Sequence, residues 1–222
     1  MGRSGSDKLF QRAKLNFARK PPTKSPRDRI LIVSEGEITE PNYFRALCTD
    51  VRLSSADVRI CGKESDSPPS AVYKFALEEL ERNLRDKTTD DYDRVYCVFD
   101  RDKHDCYDRT LKTIHKNPTH KIEEKTAKVM AINSVPCFEF WILLHFEYTD
   151  KPFENCASLE KQIKTKWATY SKKKTKDVYA ELRDKTAIAI KNSKNILNNS
   201  MSENPITKIH LVVDDLIEQS KR

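Results

Sequence analysis

Glycine is scarce in this chain: four residues in 222, where average usage near 7% gives roughly 15. Two of the four fall within the first five residues, so Gly36 is one of only two in the rest of the chain. No glycine begins the G-x-x-x-x-G-K-[ST] pattern, which excludes a P-loop. Any ATP dependence must therefore come from another chain. Long apolar runs are missing too. The longest, Phe140-Trp141-Ile142-Leu143-Leu144, is broken by His145, far short of the roughly 18 residues of a membrane helix. Neither a membrane nor a secretory signal is expected. The six cysteines form no C-x-x-C pair, and Cys97 and Cys137 sit inside apolar runs. Reduced, partly buried thiols in a cytoplasmic protein are expected, rather than disulfides or zinc.

Charge is what the chain has in quantity. Charged residues make up 34% of it and the net charge is +7. Residues 1–29 hold nine Lys/Arg and two Asp, a net of +7, so this arm carries the whole excess. With Pro21, Pro22 and Pro26 near its end, it is expected to be disordered alone and to attract phosphates, nucleic acid first; a solubilising tail is the plainer alternative. A second basic stretch, Lys161 to Lys176, has seven lysines and no acid. Its Lys161, Lys164, Lys166, Lys172, Lys173 and Lys174 answer phosphates, and Trp167 and Tyr170 offer rings for unpaired bases. The alternative is a solvated helix face whose aromatics enter the core.

From residue 30 strands and helices alternate. Strands are expected at 30–34, 57–61, 94–99 and 128–133. Helices are expected from Thr39 to about Cys48, after Ser70 as a cap, at 107–116, and over the aromatic-rich 137–146. This order implies a mostly parallel sheet covered by helices. Past residue 150 the strand signals stop, and helices are expected at 157–167, 178–198 and 205–219. The organisation read here is the arm 1–29, an α/β domain over 30–150, and a helical extension over 151–222.

In such sheets ligands collect outside the carboxyl ends of the strands. Ile30-Leu31-Ile32-Val33-Ser34 runs directly into Glu35-Gly36-Glu37, and Val95-Tyr96-Cys97-Val98-Phe99 into Asp100-Arg101-Asp102. If the chain stays extended, Asp100 and Asp102 point the same way and suit a hard cation such as Mg²⁺. Gly36 would allow a backbone geometry that a larger residue resists. Glu40 is adequately explained as an acid at a helix start; Glu35, at the strand end, is not. Glu139, inside an apolar helix, needs a partner when buried, and a metal or a Lys/Arg would serve. His145 either contacts phosphate or shuttles a proton, or is a buried histidine bonded to backbone.

These blocks resemble the TOPRIM domain of topoisomerases, primases and overcoming-lysogenization-type nucleases. They are closer still to RloB-like proteins, a TOPRIM-related bacterial group linked to defence and restriction loci. The resemblance rests on Ile32-Val33-Ser34-Glu35-Gly36-Glu37-Ile38-Thr39-Glu40-Pro41-Asn42-Tyr43-Phe44, on Val98-Phe99-Asp100-Arg101-Asp102, and on Pro136-Cys137-Phe138-Glu139-Phe140-Trp141-Ile142-Leu143-Leu144-His145-Phe146. It covers about 30–215 and departs at Val135, where the family commonly carries Asn. It implies a TOPRIM-like α/β fold and Mg²⁺- or Mn²⁺-dependent phosphodiester cleavage. Asp100 and Asp102 would hold metal, with Asp105 or Glu139 as a third acid, and Glu35 would act as general acid/base or bind a second metal. It further implies an anti-phage effector acting on RNA such as tRNA, or on DNA, beside a separately encoded ATPase, and leaves self-association open. A non-catalytic binding module is the competing reading. A haloacid-type phosphatase is disfavoured, since its Asp-x-Asp would follow the first strand.

Overall fold

The computed structural model describes residues 27–62, 68–86, 90–102, 104–122, 124–172, 177–199 and 202–222. The first 26 residues of the basic arm thus lie outside the described residues. Its last three are tied to the body: Arg27 pairs with Asp57 at 3.3 Å, and the Arg29 N–H donates to Asp93 at 2.7 Å. Asp28 meets Arg94 and accepts from Gln219.

The sheet is built from β1 (Ile30–Ser34), β2 (Val58–Cys61), β3 (Arg94–Asp100), β4 (Thr119–Ile122), β5 (Lys125–Val135) and β6 (Ile206–Thr207). Its order is β2-β1-β3-β5-β4, with β6 pairing β5. The pairs β1·β2, β1·β3 and β3·β5 are parallel; β4 and β6 run antiparallel to β5. The fold class is therefore the expected mixed α/β, with a mostly parallel sheet flanked by helices and a helical C-terminal part.

Strand side chains alternate faces, and here both faces are covered. Ile30, Ile32, Tyr96, Val98 and Ile132 enter one apolar layer; Leu31, Val33, Val95, Cys97, Phe99 and Val129 enter the other. Helices α2 (Pro69–Arg85) and α3 (Tyr107–Lys116) pack on the second layer through Val72, Ala76, Leu80 and Ile114. Helix α1 (Thr39–Asp50) packs on the first, with α4 (Glu139–Leu143), α5 (Cys156–Lys166), α6 (Val178–Leu182), α7 (Thr186–Asn199) and α8 (Ile209–Ser220). The C-terminal helices therefore share a core with the sheet. No helix among the described residues is long and apolar enough to cross a membrane.

Several boundaries differ from expectation for physical reasons. Pro69 occupies the first position of α2 and no side chain caps it, so Ser70 lies inside the helix; proline loses no hydrogen bond there. The strand read at 128–133 is longer, Lys125–Val135, because residues 125–128 also pair with β4 in an antiparallel hairpin while 128–134 pair with β3. The aromatic helix shortens to Glu139–Leu143, because the His145 N–H bonds to Ile142 and that of Phe146 to Leu143 in tighter i→i+3 turns. Beyond residue 150 one strand does occur: Ile206 and Thr207 add to β5 opposite Val135 and Ser134. Among the cysteines, Cys137 and Cys156 are joined in a disulfide, Cα to Cα 6.0 Å, which corrects the expectation of thiols throughout. Cys48, Cys61, Cys97 and Cys106 take no part in a disulfide.

The topology places a site. From β1 the chain crosses through α1 on one face to β2, then through α2 on the other face to β3, which lies on the opposite side of β1. Such a reversal opens a crevice at the carboxyl ends of the two strands flanking it. Those strands are β1 and β3.

Candidate active site at the carboxyl ends of the central strands

Glu35 continues the ladder one step past β1, its N–H bonding to Val98 O at 3.0 Å. Both of its carboxylate oxygens are held. Oε2 accepts the Asp100 N–H at 3.1 Å, and Oε1 lies 2.9 Å from His104 Nε2. Burial raises its pKa above the ordinary glutamate value; the Asp100 N–H and His104 work against that rise, and the charge of Asp102 adds to it.

Asp100 ends β3 opposite Ser134. Its carboxyl is raised well above the usual range by burial first, then by the charges of Glu40, Glu139 and Glu35, with Lys172 opposing. Asp102 does not extend the strand as expected. The Arg101 N–H donates to Ser134 O at 2.9 Å and the Asp102 N–H to Pro136 O at 3.3 Å. Asp102 thereby adopts a left-handed backbone, φ 28°, a region that aspartate enters more readily than most residues. The turn keeps both carboxylates on one cavity.

Glu40 is the residue the sequence reading undervalued. It is only 5% exposed, and its carboxyl is pushed up to about 7 by burial and by Glu139 and Glu35, with its own backbone hydrogen bond and Lys172 opposing. Gly36 makes room for it. A Cβ on Gly36 would sit 1.9 Å from Glu40 Oε2, and one on Gly62 would sit 2.4 Å from Pro41 Cγ and 2.7 Å from Gly36 O. Neither glycine has a positive φ. The need at Gly36 is close approach, and both glycines of the body serve the same turn.

The cavity at this edge measures ≈ 380 Å³ and is lined by Glu35, Glu37, Glu40, Asp100, Asp102, Ile38, Cys156 and Lys172, among others. Glu139 is fully buried behind it. Its Oε1 meets Lys172 Nζ at 3.1 Å and the Tyr170 hydroxyl at 3.5 Å. Burial works against the Lys172 ammonium, but the charges of Glu139, Glu40 and Asp100 raise its pKa. Asp105 is exposed and is not among the residues lining the cavity.

His145 is placed elsewhere. Its ring packs against Trp141, centroids 4.9 Å apart, and Tyr43, and its Nδ1 bonds to Trp141 O at 2.9 Å. Burial lowers its pKa to about 4. This is the buried, backbone-bonded alternative. The histidine that reaches the acids is His104, whose only signal in the sequence is its place two residues past Asp102.

Among protein families, the model described as RloB-like protein matches residues 30–216. The chain belongs to the RloB-like family. The match opens on the first residue of β1 and closes inside α8, so every side chain at this edge lies within it. No curated protein and no solved structure matches the chain.

In this RloB-like chain the basic segment divides. Lys161 and Lys164 are exposed on α5, and Lys166 pairs with Glu147 at 2.8 Å. Lys172 turns into the acids instead of facing solvent alone. Trp167 is half-buried against Phe146 and Tyr170, and Tyr170 is fully buried. Both rings therefore pack as core rather than as free platforms for bases. Lys173 and Lys174 lie outside the described residues.

Proposed function

We propose that this RloB-like chain is a Mg²⁺- or Mn²⁺-dependent nuclease of TOPRIM type. It hydrolyses phosphodiesters in RNA such as tRNA, or in DNA, as the effector of an anti-phage system whose ATPase is a separate chain. One observation carries this reading. Glu35, Glu40, Asp100 and Glu139 come from four separate elements to one place, where Lys172 and His104 are the cationic or titratable partners among the described residues. Carboxylates crowded out of water without matching cations are costly, and a bound cation relieves that cost.

The donors fit a hard divalent ion. Glu35, Asp100 and Asp102 offer oxygen alone, and Mg²⁺ takes one or two carboxylates while keeping waters and phosphate oxygens. When bound, such an ion polarises a phosphoryl oxygen and activates water. The chain's own residues do the rest. Glu35 Oε1 and His104 Nε2, 2.9 Å apart, share a proton and take another from water attacking phosphorus. The Asp100 N–H fixes the second Glu35 oxygen, so the base is oriented in advance. Exposed Lys161 and Lys164 draw the nucleic-acid backbone toward an edge that would itself repel it.

The test is cleavage of total tRNA, single-stranded DNA and plasmid by purified protein with Mg²⁺, Mn²⁺ or EDTA. Metal-dependent products that vanish in Asp100→Asn and Glu35→Gln support the reading. Folded protein that binds nucleic acid but cuts none of the three, with the ATPase supplied, would make the chain a binding module.

A further inference from the structure

One buried carboxylate oxygen near the edge takes part in none of the proton or ligand steps just given. Glu139 has no exposed surface. Lys172 and Tyr170 hold its Oε1, while its Oε2 has no hydrogen-bond partner among the described residues. An ionised carboxylate oxygen buried this way is expensive. Two sulfurs lie beside it. Cys137 is two residues before Glu139, and Cys156 opens α5 across the packed interface with α4. The two Sγ atoms and a Glu139 carboxylate oxygen all lie within 4.8 Å of one another.

We propose that in the reduced chain Cys137, Cys156 and Glu139 form a zinc site, distinct from the oxygen-only edge of Glu35, Asp100 and Asp102. Tetrahedral Zn²⁺ has Zn–S near 2.3 Å and Zn–O near 2.1 Å, which sets S···S at about 3.8 Å and S···O at about 3.6 Å. In the disulfide the two sulfurs are bonded; reduction frees them to part to these spacings beside a Glu139 carboxylate oxygen. The charges also close: two thiolates and one carboxylate give −3, against +2 from zinc and +1 from Lys172. Ligating carboxylates are themselves hydrogen-bonded from a second layer, and here Lys172 and Tyr170 hold Oε1 while Oε2 has no hydrogen-bond partner among the described residues.

Donor chemistry separates the two sites. Thiolates select zinc, whereas carboxylates and water suit magnesium. Because Cys156 also lines the cavity, the fourth zinc position opens toward it and is available to water. The site clasps α5, with its exposed lysines, to the loop that enters α4. The disulfide in this structure and a zinc ion are alternative occupants of one cysteine pair. The inference stands whether or not the edge cuts nucleic acid.

The full chain, reduced with a phosphine and stripped of metal, is titrated anaerobically with Co²⁺ as a spectroscopic stand-in for zinc. One equivalent is expected to give an intense near-ultraviolet thiolate-to-cobalt band that Zn²⁺ abolishes. Cys137→Ser and Cys156→Ser should each weaken or remove the band, and Glu139→Gln should weaken binding by about tenfold or more. Asp100→Asn, which removes no ligand of this site, should leave the band present. Circular dichroism checks the fold of every variant. No thiolate band in the reduced, folded wild type overturns the proposal. So does a band that persists unchanged in a folded Cys156→Ser, or one lost in a folded Asp100→Asn.

Discussion

Glu79 and Glu40 are both buried glutamates on helices that cover the sheet, and the molecule treats them in opposite ways. Glu79, in α2, is 2% exposed and meets Arg59 at 2.8 Å and also Arg82. Glu40, in α1, is 5% exposed and faces Glu35, Glu139 and Asp100, with Lys172 as the nearby cation. The first is a carboxylate closed by its own partners. The second belongs to a group left short of positive charge. Buried acids are common enough as structural pairs; what marks a place for an external cation is the missing counter-charge. His145 shows a third solution: it stays neutral.

The largest difference between the two glutamate environments is expected in activity. Glu35→Gln should slow metal-dependent cleavage by about 10²- to 10⁴-fold, the usual weight of a general base, and Asp100→Asn should reduce it to background. Glu79→Gln should leave cleavage rates unchanged. Equal losses at Glu79 and Glu35, measured as initial rates on one substrate, would remove the distinction.

Next in size is the neutral histidine. Its folded pKa of about 4 lies below the ordinary 6.5, so the unfolded chain binds more protons between those values. Stability is therefore fully present above pH 6.5 and falls as pH drops toward 4, by about 3 kcal/mol from this group. His145→Gln retains an N–H donor for the Trp141 carbonyl and should flatten that part of the profile. Urea midpoints of both proteins from pH 4 to 7 provide the check; parallel profiles would refute it.

An effect of similar size and opposite pH dependence is expected at Glu40. Its folded pKa, about 7, lies above the ordinary 4.5. It contributes stability present below pH 4.5 and lost as pH rises through 7. In metal-free protein at pH 8, Glu40→Gln should thus stabilise the fold by about 3 kcal/mol, and added Mg²⁺ should narrow the gap. Glu79→Gln should instead destabilise by about 1 kcal/mol, since Arg59 and Arg82 are 47% and 69% exposed and solvent screens them. Thermal melts with EDTA and with Mg²⁺ give all four values. Destabilisation by both variants would mean that the strand-end acids are balanced after all.

Much of the scaffold was legible because burial leaves a period. β1 at 30–34 and α3 at 107–116 match their expected spans, and the two-residue alternation in β1 and β3 divides cleanly between the two apolar layers. β4 was not legible: Thr119-His120-Lys121-Ile122 is a mainly polar edge strand that pairs on one side only. β6 was hidden for another reason. Ile206 completes the apolar stripe of α8 in sequence, yet its backbone pairs with Val135 far along the chain.

At the site the same division holds. Glu35, Asp100 and Asp102 could be named because each follows a buried strand directly, where side chains are committed to the sheet edge. Glu40 could not, since an acid in a first helical turn has a sufficient local explanation in the helix dipole; only the packing of its carboxylate over Gly36 shows otherwise. Lys172 reads as one more lysine of a basic run until the chain folds it onto Glu139. Sequence alone, through local periodicity and strand-end position, determined the parallel core of the sheet, its two faces and the strand-end place of three acids. Tertiary structure decided which charges are balanced, which histidine meets an acid and which cysteines meet each other. Those depend on distances between segments far apart in the chain, such as those of Glu40 and Lys172, and no local pattern encodes them.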